Sequence, residues 1–202
     1  MPRKPIIGLI GGIGGGKSFV GSLLVARGGF LIAGDPLGHE GLREPTIKAE
    51  VLAKFGDDMK KPDGEIDRRK LGGIVFRDPT RLRQLETILF PYIGRRFHDE
   101  IAKAQVSGSA RFIILDAAVL VEAGWKPMCD HVLFVDAARE VRLERVRTTR
   151  GWSEAELAGR EASQLPLDEK RKAADAILDN SGAAAETAQR LDAILRKWKL
   201  LP

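Results

Sequence analysis

Apolar residues along the chain follow two rhythms. Short runs occur at Pro5 to Ile10, Phe30 to Ala33, Arg111 to Asp116, His131 to Asp136 and Ala176 to Asp179. Runs this short and this continuously apolar predict strands covered on both faces, as in a parallel sheet. Between them the spacing turns helical. Phe19, Val20, Leu23 and Leu24 mark one helix over Lys17 to Arg27, which Gly28-Gly29 stops. Further helical patterns cover Ile47 to Phe55, Lys70 to Phe76, Arg81 to Phe90 and Ser153 to Gln164, the last opened by the capping-box sequence Ser153-Glu154-Ala155-Glu156. The alanine-rich stretch Ser181 to Thr187 opens a final helix.

Strands alternating with helices predict a three-layer α/β fold: a five-stranded parallel sheet flanked by helices. About 75 residues between the second and third strands carry no strand signal, too long a stretch for a loop, and predict a helical insert over roughly 36–105. The polar helical segment between the fourth and fifth strands, roughly 147–172, predicts a lid.

At 202 residues, with 44% hydrophobic and 30% charged residues, the chain has the makings of one core with an inserted substructure. No apolar run reaches the roughly 18 residues of a membrane span and no signal-peptide pattern opens the chain, so we expect a cytoplasmic protein away from membranes. The single cysteine, Cys129, forms no internal disulfide, and no Cys/His cluster has metal-ligand spacing. Cys129 reads as a small core or loop thiol. A net charge of +5 favours anionic partners, either nucleic acid or small phosphorylated molecules, and does not choose between them. Oligomeric state is not legible.

Gly11-Gly12-Ile13-Gly14-Gly15-Gly16-Lys17-Ser18 satisfies the Walker A pattern between a strand and a helix, the context that gives the pattern meaning. Successive backbone N–H groups converge on phosphates where the chain takes conformations open to glycine, and the following helix adds its positive end. Lys17 can reach the β and γ phosphates of ATP, and the Ser18 hydroxyl can ligate Mg²⁺. The fold expected is therefore that of the P-loop NTPases, with Gly12 to Phe19 against the nucleotide.

A phosphoryl transfer needs more than a donor site. Asp35, at the end of the second strand, is either a carboxylate facing the nucleotide crevice or a cap for a helix starting at Pro36. Asp116, closing the third strand, is a candidate for holding Mg²⁺ or a surface cap. Arg139, Arg142, Arg145, Arg147 and Arg150, with Arg160 beyond them, mostly read as a solvated face salt-bridged to Glu140 and Glu144, with one or two free to clamp a phosphoryl group.

Taken in order, these segments resemble the dephospho-coenzyme A kinase family over nearly the whole chain. The resemblance rests on the loop, on Asp35 and His39, on Arg68-Arg69-Lys70-Leu71-Gly72, on Leu85-Glu86 and Pro91, on Asp116 to Glu122, and on Arg160, Gln164, Lys170 and Asn180-Ser181-Gly182. It implies ATP-dependent phosphorylation of the ribose 3′-hydroxyl of dephospho-CoA, with Mg²⁺ and without nucleic acid. It also implies that Asp35 is the catalytic base, that Lys17 and Arg150 attend the transferred phosphoryl group, and that His39, Arg68, Arg69, Asp116 and Glu122 line the acceptor site. The helical insert would bind the CoA part. The chain departs from the family pattern at Phe19, Ala33, Phe90 and Ala118. Read without the resemblance, His39, Arg68, Arg69, Glu122 and Lys170 are ordinary surface residues, Asn180 ends a strand, and Trp125, Trp152 and Trp198 are packing residues.

Overall fold

The structure is a computed structural model that describes residues 2–108 and 110–202. In chain order its elements begin β1 (Ile6–Gly11), α1 (Lys17–Ala26), β2 (Gly29–Ala33), α2 (Gly34–Gly41), α3 (Pro45–Phe55), α4 (Arg68–Val75) and α5 (Pro79–Val106). They continue with β3 (Phe112–Asp116), β4 (His131–Asp136), α6 (Arg139–Arg150), α7 (Glu154–Glu161), α8 (Leu167–Ala173), β5 (Ala176–Asp179) and α9 (Ala184–Lys197). All five strands fall where the apolar runs placed them. The chain divides into two compact units, one taking it up to Ile32 and again from Glu100, the other Ala33–Asp99.

The first unit carries the five-stranded parallel sheet, in the order β2-β3-β1-β4-β5. Central β1 pairs in parallel with β3, Leu9 opposite Asp116, and with β4, Gly11 opposite Val135. That register brings Gly11 and Asp116 to the carboxyl edge of the sheet, where ligands sit in open α/β sheets. Alternation along the strands sorts the two faces. Ile7, Leu9, Leu133 and Val135 point toward Val20 and Leu24 of α1 and Leu191 and Leu195 of α9, all fully buried. Phe134 points the other way and is covered by α8, whose Arg171 guanidinium lies 5.5 Å from its ring centre. On that face a side chain at Gly8 would strike Leu120 and Cys129, which is why β1 carries a glycine there.

The Ala33–Asp99 unit is helical, with a core of Leu42, Ile47, Val51, Met59, Ile66, Leu71 and Val75. Its non-helical contribution among the described residues includes an isolated antiparallel bridge, Lys60 to Ile66. Asp67 caps α4, accepting the Arg69 and Lys70 backbone N–H groups at 3.0 Å each.

Two boundaries differ from the sequence expectation. The helix expected to end at Phe90 runs on through Pro91 to Val106. A proline inside a helix costs about 3 kcal/mol. Beyond it Ile93 and Phe97 are buried, and burying two such side chains is worth about 3–6 kcal/mol, enough to carry the helix through. The lid segment is two helices, α7 and α8, because Pro166 cannot continue the first and opens the second. The capping box at Ser153 is present in full: the Ser153 hydroxyl accepts the Glu156 N–H, and the Glu156 side chain accepts the Ser153 N–H.

Candidate active site

The phosphate loop joins β1 to α1. Gly14 and Gly16 sit at φ 76° and 89°, left-handed values that favour glycine, and a side chain at Gly14 would come within 2.7 Å of the Arg142 carbonyl oxygen. Gly15 N–H donates to the Gly12 carbonyl at 2.9 Å, closing the turn. The helix ladder begins with Val20 N–H to Gly16 at 3.1 Å. Gly16 is the N-cap residue; no side chain caps α1 and its first turn holds no acidic residue. The leading N–H groups of Lys17, Ser18 and Phe19 are thus offered to an anion, with the helix dipole behind them.

The loop's carbonyls are satisfied from behind, by residues that the sequence did not single out for this. Arg142 donates to Ile13 O at 3.2 Å; Arg145 Nη1 lies 3.3 Å from Gly15 O; Asn180 Nδ2 donates to Gly15 O at 2.8 Å. Asn180 in turn accepts from the Thr187 hydroxyl at 3.0 Å, and its backbone carbonyl accepts Arg145 Nη2 at 2.8 Å. Arg142 and Asn180 are buried, so two sequence readings are corrected: Arg142 does not belong to a solvated face, and Asn180 is not merely the end of a strand.

Lys17 pairs with Asp116 through its ammonium group, both side chains being largely buried. Ser18 is exposed at the mouth of the loop, as is Phe19. Ser18 Oγ and the Asp116 carboxylate are hard oxygen donors of the kind Mg²⁺ takes, so the residues present fit that ion. Glu122, six residues past Asp116, turns inward. Its Oε1 accepts the Leu165 N–H at 3.0 Å and pairs with the Lys170 ammonium at 2.8 Å. Lys170 is fully buried and also donates to Ala118 O and Gln164 Oε1 at 2.7 and 3.1 Å. The reading of Lys170 as a surface charge is therefore corrected, and Glu122 ties the start of α8 to the turn after β3.

At the other end of the lid, the Arg150 guanidinium lies 4.7 Å from the centre of the Trp152 ring and that of Arg160 lies 4.1 Å from it. Burial, then the neighbouring Arg150 charge, holds Arg160 below its usual pKa. Glu161 in α7 accepts hydrogen bonds from Arg139 and Arg142. Burial alone would raise its pKa, and the two guanidiniums outweigh that and hold it low. Trp125 is buried and Trp198 stacks on His131 at 4.5 Å, both packing roles. Cys129 is a half-buried loop thiol just before β4: burial, with Asp130 and Asp175 adding to it, pushes it up to about 12, so it stays protonated and unreactive.

Asp35, His39, Arg68 and Arg69 lie in the Ala33–Asp99 unit. Asp35 is not a helix cap. Helix α2 starts at Gly34, two residues before Pro36, with Ala33 at the N-cap, which leaves Asp35 exposed in the first turn, where the helix dipole favours a carboxylate. His39 follows by one helical turn on the same side. Burial, then the positive charge of Arg68, lowers the His39 pKa against a smaller opposing pull from Asp35. Arg68 and Arg69 occupy the first turn of α4, exposed, where the dipole disfavours cations. Helix stability does not explain two arginines there.

Comparison with known proteins bears on this arrangement. The family model described as dephospho-CoA kinase matches residues 5–186. The dephospho-CoA kinase of Thermobifida fusca is 36% identical over 197 residues, 96% of this chain and 95% of its own. That of Anaeromyxobacter dehalogenans is 37% identical over 191 residues, covering 94% and 90%. Among solved structures, a Thermus thermophilus protein superposes with a TM-score of 0.80 at 34% identity, covering 97% of this chain and 98% of its own. A shikimate kinase from Acinetobacter baumannii, 19% identical with a TM-score of 0.54 over 98% and 96% of the two chains, shares the fold.

Proposed function

The chain belongs to the dephospho-CoA kinase family, whose members phosphorylate dephospho-CoA to coenzyme A in the last step of coenzyme A synthesis, and on that premise we propose how its residues divide the work. ATP lies with its phosphates on the N–H groups of Gly12 to Phe19. The 3′-hydroxyl oxygen of dephospho-CoA attacks the γ-phosphorus; the new P–O bond forms as the bond to the β–γ bridging oxygen breaks, ADP leaves, and the hydroxyl proton passes to the Asp35 carboxylate and on to solvent.

Lys17 exchanges Asp116 for the β and γ phosphates when nucleotide arrives. Asp116 and the Ser18 hydroxyl are then the protein groups that would hold Mg²⁺. When bound, that ion neutralises charge on the phosphates. Arg150, parked on Trp152, supplies a further cation at the lid. His39, Arg68 and Arg69 bind the acceptor's anionic groups, the two arginines being exposed with guanidiniums suited to phosphate. Glu122 contributes by anchoring the lid rather than by touching substrate. The helical Ala33–Asp99 unit receives the CoA part, and the protein works in the cytoplasm on a small molecule, without nucleic acid.

The single observation that carries this reading is the braced loop with an uncapped α1 behind it and Lys17 beside Asp116. A coupled assay of ADP release tests it, with dephospho-CoA, AMP, adenosine and no acceptor as separate arms. Release is expected with dephospho-CoA alone. Equal release with AMP, or release that RNA or DNA stimulates and dephospho-CoA does not, would overturn the assignment.

A further inference from the structure

A loop whose amides converge on a phosphate turns most of its carbonyls away from it, and away here means into the protein. Buried carbonyls need donors. In this chain the donors are three side chains from two distant places: Arg142 and Arg145 on α6, and Asn180 just past β5. Each is itself held from a second side. Thr187 fixes the Asn180 amide, the Asn180 carbonyl fixes Arg145, and the Ala137 carbonyl and Glu161 fix Arg142.

We propose that Arg145 and Asn180, with Arg142, are positioning residues for phosphoryl transfer: they lock the carbonyls of Ile13 and Gly15 outward so that the loop's amides stay aimed at the nucleotide. A peptide flip in a glycine-rich loop would swing a carbonyl oxygen toward the phosphates and repel them. The bracket opposes that flip, because a flipped Gly15 carbonyl takes from the buried Asn180 amide the acceptor it donates to, and a flipped carbonyl at Ile13 or Gly15 forfeits its guanidinium contact. Two guanidiniums behind the loop also raise the local positive potential for an anion. Arg142 extends the bracket to the lid, since the guanidinium holding Ile13 also holds Glu161 of α7.

This inference rests on the phosphate-loop reading given above, and the test separates the two. Inorganic tripolyphosphate carries the phosphates of ATP without the nucleoside. Its binding and that of ATP, both with Mg²⁺, would be measured by calorimetry for the wild-type chain, Arg145→Met, Arg145→Lys and Asn180→Ser. Thermal unfolding would confirm that each variant folds. If the bracket acts through the loop, Arg145→Met and Asn180→Ser weaken both ligands by the same factor, about tenfold each, with Arg145→Lys in between. The double variant Arg145→Met/Asn180→Ser should weaken them by less than the product, because both residues serve the Gly15 carbonyl. Weakened ATP binding with unchanged tripolyphosphate binding would instead mean direct contact with the nucleoside and would overturn the proposal, as would no weakening of either. A wild-type chain that binds neither ligand would defeat the phosphate-loop reading along with it. Should Arg145→Met fail to fold, Arg145→Lys and Asn180→Ser carry the same comparison.

Discussion

The phosphate loop takes its groups from eight consecutive residues and is braced by buried side chains, whereas the candidate acceptor groups Asp35, His39, Arg68 and Arg69 are scattered along the Ala33–Asp99 unit and exposed. The difference follows from what each region uses to bind. A cradle made of backbone amides works when the peptide planes are fixed, so its cost falls on folding. A site made of long side chains leaves them free until a ligand arrives, and immobilising each arginine then costs up to about 2 kcal/mol of rotamer entropy. On our reading the donor site is formed before ATP binds, while dephospho-CoA has to order its own site.

The strongest way to break this contrast is through Lys17. Lys17→Ala should lower kcat by about 10⁴-fold, the scale of a cation lost from the transferring phosphoryl group. A drop of less than tenfold would move the phosphate charge compensation elsewhere. Asp35→Asn should bind both substrates nearly as before and lose about 10²- to 10³-fold in kcat, since a loose transition state leaves a base modest work. Near-normal turnover would remove Asp35 as the base.

Lys170→Met tests whether the lid anchor is structural. It leaves Glu122 short of its partner and should destabilise the chain by about 3 kcal/mol in urea unfolding, as breaking a buried pair does. Unchanged stability would return Glu122 to the list of substrate contacts. The smallest effect belongs to His39. Its folded-state pKa lies below the unfolded value of about 6.5, so the unfolded chain takes up the proton first as pH falls. Stability contributed there is present above about 6.5 and declines toward the folded midpoint, and His39→Gln should flatten that part of the curve. An NMR titration placing the His39 midpoint above 6.5 would reverse the sign.

The parallel sheet was legible in the sequence because buried strands read as unbroken apolar runs, and the loop because its chemistry is contiguous. What escaped depended on distance along the chain. Asn180 meets Gly15 across 165 residues and Arg142 meets Ile13 across 129, separations that no local pattern registers. One signal was present: Arg142 precedes buried Val146 by four residues and so shares its inward face of α6, an unusual place for arginine. Helix α5 escaped for another reason. Pro91 is a valid local stop signal, and tertiary burial of Ile93 and Phe97 overrides it.

The two guanidiniums on Trp152 have an optical consequence. A cation against an indole shifts and quenches its emission, and Trp152 carries two of them, whereas Trp198 lies on the ring of His131. The lid thus carries its own fluorophore, and departure of Arg150 from the ring on nucleotide binding would be visible as a change in the light that Trp152 emits, with no label added.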